Sequence, residues 1–137
     1  MNFNAKTAAV WNGKEIQQHM AKELGNEFYS SARRIEASAK NKVPRSDYPI
    51  TNKHPGHLQD TIRAARARRK KWMPGAFVFA GDREKGIYWG HMVEYGTSKM
   101  KAQPFLRPAM QGQRATIVSG AARGGRRVIN KPRRMAR

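Results

Sequence analysis

The sequence predicts an α+β domain, and three features support that reading. Apolar residues recur in steps of about four at Ile16, Met20, Leu24, Phe28, Ala32, Ile35 and Ala39, which is one face of a long amphipathic helix. Ala76 to Ala80 reads Ala-Phe-Val-Phe-Ala, a short β-branched and aromatic run suited to a strand. Pro104 and Pro108 fix φ and frame Phe105, Leu106 and Arg107, a pattern that opens a second helix near Pro108.

Taken in order, Met1 to Val10 lacks periodicity and reads as an N-terminal arm. Asn12 is placed to cap a helix, with Glu15 three residues on in a capping-box position. The helix then runs from about 13 to 42, roughly 45 Å at 1.5 Å per residue. Lys14, Lys22, Arg33, Arg34 and Lys40 lie on its polar face. Gly25 lies inside it at a cost of up to about 1 kcal/mol relative to alanine. Val43-Pro44 stops it, because the residue before proline is pushed out of the helical region.

Arg45 to Gly56, with Pro49, Asn52 and Pro55, reads as loop, and Leu58 to Ile62 as one turn of helix. Thr61 to Trp72 has two readings. Ala64, Ala65 and Ala67 favour helix, whereas the Met73-Pro74-Gly75 turn into the next strand favours an extended hairpin arm. Gly81 to Gly86 is a polar turn, and Ile87 to Tyr95 a short helix or strand–helix junction. Gly96 takes a positive φ and ends that segment, with Thr97 and Ser98 holding the turn.

Phe105 and Leu106 are expected to plug a core built from Phe77, Phe79, Tyr88, Trp89 and Tyr95, which leaves Gly96 to Gln103 as a projecting loop. Arg107 is expected to pair with Glu94. Pro108 to Ala122 reads as the second helix. Residues 120–137, with Gly120, Gly124 and Gly125, read as a flexible basic tail. The organisation is thus an arm at 1–10, one domain at 11–119 and a tail at 120–137.

Hydrophobic residues make up 39% of 137, low for a self-sufficient globule, so extended arms or burial between subunits are expected. There is no cysteine, hence no disulfide framework or thiolate metal site. No apolar run approaches the roughly 20 residues that span a bilayer. Lys6 has no apolar core after it, so no signal peptide and no membrane partner are expected.

Lys and Arg number 28 against 9 Asp and Glu, giving +19, and no acid follows Glu94. Such a surface attracts phosphate or an acidic protein. The candidate contacts are Arg63, Arg66, Arg68, Arg69, Lys70 and Lys71, joined by Arg123, Arg126, Arg127, Arg133 and Arg134 of the tail. In a strand, Arg66, Arg68 and Lys70 share one face and Arg63, Arg69 and Lys71 the other, with Trp72 ending the run. Nothing in the pattern encodes base-specific reading.

His54 and His57 lie near Asp60, and His91 lies three residues before Glu94, but neither set has a recognised ligand spacing. No nucleophile elbow, Walker loop or dinucleotide fingerprint is present. The expectation is a non-enzymatic protein with no catalytic residue, metal or cofactor.

Glu94, Tyr95, Gly96, Thr97 and Ser98, followed by Pro104 to Ala109 as Pro-Phe-Leu-Arg-Pro-Ala, resemble the tail-completion or neck proteins of long-tailed bacteriophages, a minor tail protein Z-like family. The resemblance extends more loosely from Trp11 to Val118. A Thr-Gly-x-Leu-like segment appears as Pro55, Gly56, His57, Leu58, Gln59, Asp60, Thr61 and Ile62. Departures are the insertion-like Arg45 to His54 and the basic tail after Ala121.

The resemblance implies a long helix packed on a small antiparallel sheet, and it tips Thr61 to Trp72 to a strand of a β-hairpin arm. It also implies a virion protein assembled in the host cytoplasm into a hexameric ring at the head–tail junction. That ring completes the tail, allows head–tail joining and passes DNA. Its partners would be its own copies, adjacent connector, tail-tube or tail-terminator rings, and genome DNA without sequence preference. The alternatives are a tail terminator or a free basic nucleic-acid-binding protein.

Overall fold

The computed structural model describes residues 13–45, 57–67, 74–82 and 84–130. Within them the chain is an α+β fold, a long N-terminal helix packed on a two-stranded antiparallel sheet with further helices at the C-terminal side. The sequence expectations at Asn12, at Arg68 to Met73, for the arm at 1–10 and for the chain after Asn130 lie outside the described residues.

Helix α1 spans Gly13–Lys42, the range the apolar spacing predicts. Burial is deepest in its second half, at Ala32, Ile35 and Ala39, while Met20 of the same stripe is exposed. Its C-terminal end is tied down locally. The Val43 N–H donates to the Ala39 carbonyl at 2.9 Å, and the Gln59 amide Nε2 donates to the Lys40 carbonyl at 2.9 Å. That satisfies a carbonyl which the end of a helix otherwise leaves orphaned.

Helix α2 is the single turn Leu58–Thr61. The Thr61 hydroxyl donates to the Leu58 carbonyl at 2.8 Å and accepts from the Gly81 N–H at 3.0 Å. One small side chain therefore closes α2 and fixes the end of the hairpin. Strand β1, Arg63–Arg66, pairs antiparallel with β2, Ala76–Phe79, with Arg63 opposite Phe79 and Arg66 opposite Ala76. The strand reading of this segment holds over those four residues, although alanine is a helix former. Pairing with β2 and packing on α1 outweigh that local preference.

Helix α3, Gly90–Tyr95, ends at Gly96, whose φ of 77° matches the expected turn. Helix α4, Leu106–Gly112, and helix α5, Arg114–Asn130, follow with a break at Gln113. The core gathers Ile35, Ala39 and Val43 at the end of α1, Leu58 and Ile62 at α2, Ile87 before α3, and Phe105 and Ala109 at α4.

Two expectations are corrected. The chain from Gly120 to Asn130 is helix α5, not a loose tail. Gly120 and Gly124 are buried where α5 crosses α1 antiparallel. A Cβ on Gly124 would stand 3.1 Å from Leu24 Cδ2, and one on Gly120 would stand 3.3 Å from Glu27 Oε2. Glycine here lets two helix backbones approach closely, and that packing offsets the roughly 1 kcal/mol each glycine costs in a helix. Gly120 and Gly124 therefore form a packing seam rather than part of a flexible tail, whereas a Cβ on Gly125 would meet nothing within 4 Å.

The aromatic residues are the second correction. Phe77, Phe79, Tyr88 and Tyr95 are 53%, 46%, 64% and 70% exposed, and among that group only Trp89 packs against the core. Strand alternation is the reason: Val78 turns toward α1, so its neighbours Phe77 and Phe79 turn away. The core was expected to be aromatic and is aliphatic instead, with Phe105 as its large member.

Gly25 tests the helix energetics. A Cβ there would lie 3.9 Å from Pro74 Cβ, an ordinary contact. Gly25→Ala is expected to add about 0.5–1 kcal/mol of stability, raising the thermal midpoint by about 2–5 °C. Circular dichroism melts check this, and a lower midpoint would mean that α1 and Pro74 cannot accommodate a methyl group.

Candidate functional site

The block from Val93 to Ala109 is organised by one carboxylate. Glu94 points from α3 toward the start of α4 and is 7% exposed. Its Oε2 accepts the Phe105 N–H at 2.8 Å and the Leu106 N–H at 2.9 Å, and its Oε1 accepts the Arg107 N–H at 2.9 Å. A helix begins with four N–H groups that have no partner within it. Here Glu94 takes those of Phe105, Leu106 and Arg107, and Pro108 has none to satisfy. Ala109 then starts the helical ladder by donating to the Phe105 carbonyl at 3.3 Å. Negative charge also suits this end of the helix dipole.

Burial pushes the Glu94 carboxyl upward, but the three backbone donors and then the Arg107 charge outweigh it, so its pKa lies below the ordinary glutamate value. The expected side-chain pair between Glu94 and Arg107 does not form. Arg107 reaches Glu94 through its backbone N–H, and its guanidinium lies 5.7 Å from the centre of the exposed Tyr95 ring. A carboxylate already accepting three hydrogen bonds along the helix axis satisfies its need for donors without a side chain.

The loop between these ends is held at both sides. The Gly96 N–H bonds the Met92 carbonyl at 2.7 Å, and the Gln103 N–H bonds the Val93 carbonyl at 2.8 Å. Thr97 pairs with Met100 in a tight turn, and its hydroxyl accepts from the Lys99 and Met100 N–H groups, as expected of this residue type. Ser98 is exposed in the same turn, and Lys99, Met100, Lys101 and Pro104 project to solvent with it. Phe105 is 0% exposed and Leu106 packs partly on the same core, so the expected plug is in place.

The structure separates the predicted basic contacts. Arg63 is exposed on the outer face of the hairpin. Arg66 turns the other way: it donates to Asn26 Oδ1 at 3.0 Å, and its guanidinium lies 4.6 Å from the centre of the Tyr29 ring. In α5, Arg123 and Arg127 bind Glu27 at 3.3 and 3.0 Å, with Glu23 3.9 Å from Arg127, while Arg126 is exposed. Arg68, Arg69, Lys70, Lys71, Arg133 and Arg134 lie outside the described residues.

Glu36 was not singled out in the sequence. It is 7% exposed, binds Arg33 and Lys40, and accepts the Ala64 N–H at 3.0 Å, which stitches the outer edge of β1 to α1. Lys40 four residues on was the one legible sign of its role. Its pKa is also lowered. Burial raises it, and the Lys40 hydrogen bond, the Ala64 N–H and the Lys40 and Arg33 charges together lower it further.

Glu94 is occupied at α4, and the His91 ring Nδ1 lies 3.1 Å from the Tyr88 carbonyl, so these two residues do not form a pair. Among the described residues no group of three His, Asp or Glu side chains converges, and no helix is long and apolar enough to cross a membrane. Comparison with protein-family models, with curated proteins and with solved structures finds no match.

Glu94→Gln removes the charge and places an amide NH2 where a backbone donor needs an acceptor. It is expected to cost about 2–4 kcal/mol at pH 7. Because the folded-state pKa of Glu94 is depressed, its contribution is complete above the ordinary glutamate range and is lost as pH falls through the folded value. The gap between wild type and variant in urea melts should therefore narrow below about pH 4. A gap of constant size would show that charge is irrelevant at this site.

Gly96→Ala sets a Cβ 2.7 Å from the Ala102 nitrogen at a φ of 77°. It should cost about 1–3 kcal/mol, read from the same melts.

Proposed function

We propose that this chain is a structural protein of a long-tailed phage particle, a ring-forming subunit at the head–tail junction that completes the tail and permits joining and DNA passage. It makes and breaks no bond, and its work is the fit between neighbouring surfaces. The observation that supports this best is the Glu94 clamp. It gives a framework reason for Glu94, Tyr95, Gly96, Thr97, Ser98 and the Pro104 to Ala109 block to occur together, the spacing on which the resemblance rests. A framework that fixes a projecting, basic Lys99–Gln103 loop on a small body suits repeated contacts between subunits.

The distribution of charge supports the same reading. Glu23, Glu27, Glu36 and Glu94 are all engaged inside the fold, so the excess of Lys and Arg faces outward. A ring of such subunits needs acidic neighbours or DNA in its channel to balance that charge. Its copies are the first partners, and adjacent connector and tail rings are the next. A free nucleic-acid-binding protein is the rival reading. It requires a monomer whose DNA affinity falls by about 10³–10⁵ between 50 and 200 mM salt if six to ten phosphates are engaged.

Electron microscopy of particles made without this protein should show filled heads and separate tails. Joined, normal virions would reject the assignment.

A further inference from the structure

We propose that the outer edge of β2 accepts an extended acidic and apolar segment of a partner protein as a third strand. The backbone parity of the hairpin fixes which groups are free. The Ala67 N–H donates to the Gly75 carbonyl at 2.9 Å, so the paired residues Ala65 with Phe77 and Arg63 with Phe79 direct their backbone groups into the hairpin. Those of Ala64, Arg66, Ala76 and Val78 point away from it.

On the β1 side, the Ala64 N–H is taken by Glu36 at 3.0 Å. On the β2 side, no described residue bonds the outward groups of Ala76 and Val78, and the sheet ends there. Among the described residues, one edge of this sheet is therefore closed by a built-in carboxylate and the other is open, a template for strand addition.

The face beside the open edge sets the chemistry of the incoming strand. Phe77 and Phe79 lie on it, 53% and 46% exposed with ring centres 6.0 Å apart, and Arg63 stands opposite Phe79 on the same face. An added strand with apolar residues on that face covers the phenyl pair. Carboxylates on the same strand lie about two strand spacings, roughly 10 Å, from Arg63, within reach of two long side chains.

Arg63 has no ion-pair partner among the described residues. A second copy of a chain at +19 is repelled from this face by like charge. Nucleic acid lacks the alternating N–H and C=O groups the edge requires. The occupant is thus an acidic polypeptide in extended form. Its source, a neighbouring particle protein, rests on the head–tail reading; the open edge itself does not.

The test uses the full chain and a capped heptapeptide, Thr-Val-Thr-Val-Thr-Glu-Thr, whose Val and Glu side chains share one face, with amide hydrogen exchange followed by NMR. The expected result is exchange at Ala76 and Val78 slowed tenfold or more, with no such change from the same peptide carrying Pro at the Thr positions, which removes the N–H groups that face the edge. Arg63→Glu should weaken the Glu-bearing peptide several-fold and admit the same peptide with Lys in place of Glu instead. Ala76→Pro, which removes an outward N–H and no ladder bond, should abolish protection at Val78 while the far-UV spectrum is retained.

Failure of the Arg63→Glu exchange of preference would overturn the acidic assignment even if Ala76→Pro unfolds. Absence of protection would overturn the proposal. So would the same protection produced by raising the protein concentration alone, or by duplex DNA. None of these outcomes depends on where the chain sits in a particle.

Discussion

The Glu94 carboxylate is the constraint on which the C-terminal half depends. Phe105 can fill the core at 0% exposure only if the backbone beside it, at the start of α4, has its donors satisfied away from water. Glu94 supplies that satisfaction from α3, eleven residues earlier in the chain. The apolar plug and the charged clamp are therefore one device. Burial brings the phenyl ring inside, and the carboxylate removes the penalty of burying the peptide groups that accompany it. The loop between them inherits fixed ends, at the Gly96–Met92 and Gln103–Val93 hydrogen bonds, and so has a defined projection.

Acidic residues are few, and several of them serve the interior. Glu36 closes the edge of β1, Glu23 and Glu27 hold the arginines of α5, and Glu94 starts α4. The pairs to α5 are half-exposed on the arginine side, and each is worth at most about 1 kcal/mol. Their larger consequence is on the outer surface, which keeps basic charge with little acid to cancel it. Arg66, Arg123 and Arg127 are drawn into internal contacts, so the outward field comes from other cations, among them Arg63, Lys99, Lys101 and Arg126. With four of its nine acids tied up in intramolecular contacts, the fold leaves an excess of basic charge on its surface.

How far the sequence could be read varies along the chain. The α1 stripe, the Gly96 turn, the Thr97 turn and the Phe105 plug follow from local spacing and from the conformations that glycine and proline allow. The length of α5 was hidden because three glycines and many arginines look like an unstructured tail when no partner is considered. Its partner is α1, whose Leu24 and Glu27 meet Gly120 and Gly124 about a hundred residues away in the chain. The placement of Phe77 and Phe79 was hidden for a related reason. An alternating strand shows that one set of side chains faces in, but not which set.

By itself, the sequence determined helix α1, strand β2, the turn at Gly96 and the net charge, because each depends on neighbours within a few positions. Tertiary structure alone decided which carboxylate meets which N–H, which arginines are held in internal contacts and which sheet edge has no strand partner among the described residues. Those outcomes depend on the crossing of elements far apart in the chain, where a shift of one residue exchanges buried and exposed faces and no local preference registers the difference.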